Sequence, residues 1–176
     1  QLSTPVAGVA QSRDEVVVTA RDGRSFRARA VVCAVALNVL HRIRFSPALS
    51  EAKMKLSRQG HAGRGMKVLF RVEGDAPGVF TVAPPEHPLT SIAPVAQFDG
   101  GKIYVGFGPD GTAFDPMDAA AVDAIVRRLV PGLRVVESIG CRWVADEFSS
   151  GTWNVFRPGQ LTGLSKDFDQ PEGRAF

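Results

Sequence analysis

Trp143-Val-Ala-Asp-Glu-Phe-Ser-Ser-Gly-Thr-Trp-Asn-Val-Phe-Arg-Pro-Gly159 carries both tryptophans of the 176-residue chain, and the reading of the fold turns on it. Gly151 punctuates the stretch, which predicts a strand end, a glycine-bearing turn and a second short strand. Two readings of the rings stand side by side. Tryptophans of a β-rich domain are most often buried in its core. Two large rings this close to a turn are equally what a pocket wall needs.

Working upstream, residues 134–143 predict a strand, and before it lies the strongest helix pattern in the chain. Asp115 caps the free amides and Pro116 suits the first turn; Ala119, Val122, Ile125, Val126 and Leu129 then form one apolar stripe until Pro131-Gly132 stops it. Residues 102–108, 91–97 and 79–83 read as strands. In residues 65–72, Met66, Val68, Phe70 and Val72 alternate with Lys67, Leu69 and Arg71, the pattern of a strand covered on one face. Lys67 therefore falls on the less apolar side. Ser46-Pro47 and Ser50 start a short helix that Gly60 ends. The uninterrupted apolar run at 30–36 predicts a strand covered on both faces, in the middle of a larger sheet. Residues 4–10 and 15–20 read as strands, and Asp22-Gly23 as the tight turn leading to a return strand at 25–29. Downstream, residues 161–176 predict a loop and the start of a strand at Arg174-Ala-Phe176. Strands dominate and helices interrupt them. The expected class is α+β, a mixed, largely antiparallel sheet with flanking helices.

Composition narrows the function classes. With 44% hydrophobic and 22% charged residues the chain has an ordinary globular balance, and no apolar run approaches the roughly eighteen residues of a membrane span. The formal charge of +3 is modest. Basic residues cluster without acidic neighbours only between Lys53 and Lys67, a cluster read as a solvated face around a helix end, since neither interleaved aromatics nor a nucleic-acid motif accompanies it. No nucleic-acid partner is expected. Cys33 and Cys141 lie in apolar contexts without CxxC spacing, so they read as buried thiols in a reducing compartment, which points to the cytoplasm, with no metal site. The chain begins Gln1-Leu-Ser-Thr-Pro, without an initiator methionine or a signal-like segment, and reads as a piece of a longer one.

An ordered set of residues resembles the flavin-dependent amine oxidases, the monoamine oxidase family, in its fungal-type members. Trp143, Phe148, Ser149, Gly151 and Trp153 match the spacing W-x(4)-F/Y-S-x-G-x-W/Y. Thr4-Pro-Val6, Val18-Thr-Ala-Arg-Asp-Gly23, Val31-Val-Cys33, Leu37-Asn-Val-Leu40, Phe45-Ser-Pro-Ala-Leu-Ser50, Gly60-His61, Lys67 and Arg157-Pro-Gly159 follow the same order. The resemblance implies an enzyme of two lobes, one binding FAD through a dinucleotide fold and one shaping an amine pocket. This chain is similar mostly to the second, with the Rossmann-type lobe largely absent. The divisions so implied are 1–45 (strands and crossover next to the FAD lobe), 46–145 (substrate-binding lobe) and 146–176 (aromatic-cage segment and return).

Carried over residue by residue, the resemblance makes Val6 a cofactor-binding residue at the adenine end of FAD and Trp143 a border of the flavin ring. Trp153 becomes one side of an aromatic cage for the substrate, and Lys67 the catalytic lysine that holds a water beside the reactive flavin nitrogen. A cation there stabilises negative charge on a reduced ring. The implied reaction oxidises a primary or secondary amine to an imine and reduces O2 to hydrogen peroxide. The partners are a small amine and O2, with a homo-oligomer possible.

Three departures matter. Thr152 stands where the animal enzymes carry the cysteine bonded to flavin, so FAD would be held non-covalently. Ala36 replaces a family proline, which should loosen the turn at Leu37 to Leu40. No G-x-G-x-x-G follows a first strand; Gly106-x-Gly108 and Gly60-x-x-Gly63 lie in the wrong contexts. The chain by itself is therefore expected to bind FAD weakly or not at all, and to be inactive without the missing lobe. Two alternatives remain open: a related flavin oxidoreductase (a polyamine or amino-acid oxidase, or a carotenoid desaturase-like enzyme), or a non-catalytic β-rich binding module.

Overall fold

A computed structural model describes residues 1–163 and 165–175. Two compact units divide them: Gln1–Ala62, Glu147–Ser149 and the chain from Asn154 onward form the first, Gly63–Asp146 and Ser150–Trp153 the second.

In the first unit, β1 (Val6–Gln11), β2 (Val16–Ala20) and β3 (Ser25–Ala28) make the expected antiparallel meander. Helix α1 (Leu37–Leu40) then leads to β4 (Arg44–Ser46), which pairs parallel to β1 and sets the strand order β3-β2-β1-β4. Ala36 does not undo the turn: it stands at the N-cap of α1, and Val39 and Leu40 are buried. Helix α2 (Glu51–Gln59) begins where its signals place it, with the Ser50 side chain accepting from the Lys53 amide, and Gly60 closes it. Arg157 donates to the carbonyls of Gln59, Gly60 and His61, satisfying acceptors that the helix end leaves open.

The second unit holds β5 (Met66–Glu73), β6 (Thr81–Val82), β7 (Ser91–Phe98), β8 (Gly101–Gly108), α3 (Ala119–Leu129) and β9 (Val135–Gly140). Its sheet runs β6-β7-β8-β5-β9 and every pairing is antiparallel. The alternation read in β5 decides its two faces. Met66, Val68, Phe70 and Val72 are buried in one core with Tyr104, Val122, Val126 and Leu133, and Phe70 stacks on Tyr104 at 5.5 Å between centroids. Each such side chain contributes about 1.5–3 kcal/mol when removed from water. Helix α3 covers this face. The opposite face carries Lys67.

The architecture is α+β and largely antiparallel, as expected, with the strands split between two sheets. Four local expectations are corrected. Residues 30–36 form no strand: among the described residues they pair only through a bridge from Val31 to Ala175, and Val32 is 77% exposed, because a doubly covered strand needs two neighbours and one bridge is present. The stretch from Trp143 to Gly159 is a loop of turns, since its amides bond to local carbonyls and, from Thr152, to the Gly63 carbonyl, while its Val155 carbonyl accepts from the Ala62 amide, and none of these bonds forms a ladder. The cap of α3 is Asp118, which accepts from the Ala120 and Ala121 amides, while Asp115 turns the chain just before it. Cys33 is half-buried and Cys141 is exposed; burial pushes the Cys33 thiol up, keeping it protonated. Of the strand expected at Arg174-Ala-Phe176, Ala175 bridges Val31 and Glu172, and Phe176 lies outside the described residues.

Two short helical turns, α4 (Gln160–Gly163) and α5 (Ser165–Phe168), belong to the first unit. Beside them Lys53 is only 8% exposed, not solvated as its basic neighbours suggested. Its ammonium donates to the Gln170 carbonyl and lies 3.5 Å from Glu172.

Candidate functional site

The exposed face of the second unit's sheet carries two of the expected site residues, Lys67 and Trp153. Lys67 is paired directly across the β5/β8 ladder with Phe107. Directly opposed residues of an antiparallel pair project to one face, so the lysine and this ring stand side by side. The Trp153 ring tilts against Phe107 at 6.2 Å between centroids and 45° between planes. The same ring lies over Gly65, where a Cβ would overlap it. Gly65 precedes Lys67 by two positions, so its open side is the face that Lys67 shares. Lys67, Phe107 and Trp153 therefore line one side of the sheet.

Neither tryptophan is a core residue: Trp143 is 46% and Trp153 50% exposed. Lys67 is exposed as well, and its ammonium makes no hydrogen bond or ion pair among the described residues. An unengaged cation on the same sheet face as two aromatic rings can hold a water or an anion, and the rings can take an ammonium or an apolar ring.

The loop carrying Trp153 is held close to the chain entering β5. Thr152 donates through its backbone to the Gly63 carbonyl at 2.9 Å and through its hydroxyl to the Gly65 carbonyl at 3.0 Å. A Cβ on Gly63 would overlap the Thr152 carbonyl, and one on Gly65 would also come within 2.6 Å of the Gly108 carbonyl oxygen. Glycine is needed at both positions for this approach. Trp143 joins the same loop through its carbonyl, which accepts from Gly151 at 3.2 Å. Its ring contacts no other ring among the described residues.

Val6 belongs to the first unit. It lines a cavity of about 420 Å³ whose wall includes Arg21, Ala34, Val35, Arg42 and Phe148. Apolar surface flanked by guanidinium groups suits a heteroaromatic ring bearing phosphates. Arg21 lies 5.4 Å over the Phe148 ring and pairs with Glu147 at 2.8 Å. The stretch Gly106-Phe-Gly-Pro-Asp-Gly111 has the letters of a phosphate-binding turn, but it leaves β8, opens no helix, and the Gly111 amide bonds to Arg64. It is structural.

Phe107, Gly65 and Thr152 were missed by sequence reasoning as parts of the site. Phe107 becomes visible only through the ladder register that sets it beside Lys67. The glycine spacing of residues 60–65 was the available signal for Gly65.

The family model described as flavin containing amine oxidoreductase matches residues 1–175. Pseudooxynicotine dehydrogenase of Pseudomonas sp is 39% identical over 179 residues, which are 100% of this chain and 36% of that protein. (S)-6-hydroxynicotine oxidase of Paenarthrobacter nicotinovorans is 35% identical, over 99% of this chain and 40% of that protein. Nicotine dehydrogenase of Pseudomonas putida is 32% identical, over 99% and 36%. The chain thus spans about two fifths of the length of these relatives. Among solved structures, cyclohexylamine oxidase from Brevibacterium oxydans shares the fold with a TM-score of 0.79 at 19% identity, over 99% of this chain and 42% of that one. Putrescine oxidase bound to putrescine does so at 0.78 and 20%, over 98% and 41%.

Proposed function

This chain belongs to the flavin-containing amine oxidoreductase family, and from that premise we propose that it forms the amine-facing wall of an FAD enzyme that oxidises a pyridine-bearing amine. The observation that carries the proposal is the grouping of Lys67, Phe107 and Trp153 on one open sheet face. The substrate class draws support from three relatives named for nicotine, hydroxynicotine and pseudooxynicotine, all molecules with a flat pyridine-type ring joined to an amine.

The residues present fit an FAD site in part. Val6 would hold the adenine end at its cavity in the first unit, Trp143 would border the flavin ring, and Lys67 would lie toward its reactive edge. Bound FAD supplies the two-electron acceptor that turns an amine into an imine, with O2 as terminal oxidant and hydrogen peroxide as product. The protein's own work is positional. Trp153 and Phe107 attract an approaching ammonium through their π faces and pack against its flat apolar part once it is neutral. The Lys67 ammonium holds water by hydrogen bonding and favours negative charge arising next to it. Thr152 offers no thiol and its hydroxyl donates to the Gly65 carbonyl, which supports a cofactor held without a covalent bond. A cytoplasmic location belongs to the same proposal.

Peroxide release from a panel of pyridine-bearing, aliphatic and carboxylate-bearing amines tests this with the flavin-loaded, full-length protein. Turnover confined to amino acids, or no flavin reduction by any member, would overturn it. Two of the relatives are named dehydrogenases, which favours a second reading in which the acceptor is not O2. Amine-dependent reduction of a redox dye without peroxide would identify that case.

A further inference from the structure

Thr152 is buried although the residue that follows it is half-exposed. Its two hydrogen bonds, from the amide to Gly63 and from the hydroxyl to Gly65, tie the loop to the segment that enters β5. Trp153 has φ +47°. A bulky residue occupies that left-handed region only where its surroundings hold it there. Its ring fills the space that a side chain at Gly65 would take, two positions before Lys67. The residue before Thr152 is held too, through the bond from Gly151 to the Trp143 carbonyl.

We propose that Thr152 is a positioning residue: its hydroxyl bond to Gly65 holds Trp153 in its left-handed conformation and so fixes the Trp153 ring relative to Lys67. The part of this inference that concerns substrate rests on the amine-oxidising reading above; the part that concerns the ring does not. Valine matches threonine in shape but cannot donate, and it leaves the Gly65 carbonyl without its buried partner. Serine keeps the donor and loses one methyl.

The test compares Thr152→Val with Thr152→Ser in the flavin-loaded, full-length protein and in its apo form. In a Trp143→Phe background, where Trp153 is the one tryptophan of this segment, the valine variant should show red-shifted Trp153 emission and stronger acrylamide quenching. The serine variant should resemble the parent. In rapid mixing with amine, the concentration giving half-maximal flavin reduction should rise about fivefold for valine, while the limiting rate changes less than about twofold, the scale of one neutral hydrogen bond. Simple destabilisation would lower the amount of active protein and leave that concentration where it was. If no amine reduces the flavin of the parent, the amine-oxidising reading fails while the fluorescence comparison still decides the role of Thr152. Should the valine variant not fold, Thr152→Ala against Thr152→Ser gives the same contrast. Valine or alanine emission and quenching equal to the parent's, or serine values equal to valine's, would overturn the proposal.

Discussion

Lys67 was legible from the sequence because period-two alternation assigns a face to every residue of β5, and the polar member of that alternation stays outside. Its neighbour Phe107 was not, since cross-strand pairing depends on the register of a strand some forty residues away. Thr152 was read only for the thiol it lacks, while its hydroxyl bond requires the loop's path to be known. Two predictions belong at this scale. Lys67→Met should slow flavin reduction or reoxidation by roughly a hundredfold, the usual scale for removing one stabilising donor from a reacting centre, with melting temperature unchanged because the side chain is exposed; stopped-flow absorbance and calorimetry measure the two. Gly65→Ala meets the Trp153 ring and, at 2.6 Å, the Gly108 carbonyl. It should destabilise the protein by about 1–3 kcal/mol, as overpacking does, and denaturant unfolding reads this directly.

At the scale of elements, strands and helices built on local periodicity were placed well, and those that depend on distant partners were not. The hairpin through Asp22-Gly23, the strand β5 and the helix α2 needed only their own residues. Residues 30–36 have the composition of a central strand, but a strand exists only where neighbours supply its ladder, and one bridge does not suffice. The loop from Trp143 to Gly159 looked like a hairpin; its hydrogen bonds go instead to Gly63 and Ala62 and into its own turns. Helix α3 shows the limit of reading a cap. Asp115-Pro116 and Asp118 are both plausible starts, and only the Asp118 carboxylate accepts from first-turn amides of the helix. Asp118→Ala should therefore cost about 1 kcal/mol. Asp115→Ala should cost clearly less, a ranking that thermal melts of the two variants can check.

For the whole molecule, the last described residues of the first unit are held by charge as well as packing. Glu172 accepts from the Ser50 amide at 2.8 Å and faces Lys53. Burial pushes its carboxyl up, but the Ser50 bond and the nearby Lys53 outweigh this and hold it below its ordinary value of 4.5. A carboxyl lowered on folding contributes its stability in full above the unfolded value and loses it as pH falls through the lower folded value. Stability against urea should thus fall below about pH 4.5, and Glu172→Gln should flatten that dependence; an unchanged slope would show that Glu172 does not carry it. With no phosphate-binding turn after a first strand, these 176 residues by themselves should not retain near-stoichiometric FAD, which a flavin absorbance spectrum of the purified chain would show. The claim on which the rest depends is that Lys67 and Trp153 work on one face toward one substrate. Anaerobic rapid mixing of the flavin-loaded, full-length protein with a pyridine-bearing amine, in the parent, Lys67→Met and Trp153→Ala forms, tests it most directly. The parent should bleach, the lysine variant should have a much lower limiting rate, and the tryptophan variant should need about tenfold more amine for half-saturation. Bleaching with parent-like constants in both variants would contradict it.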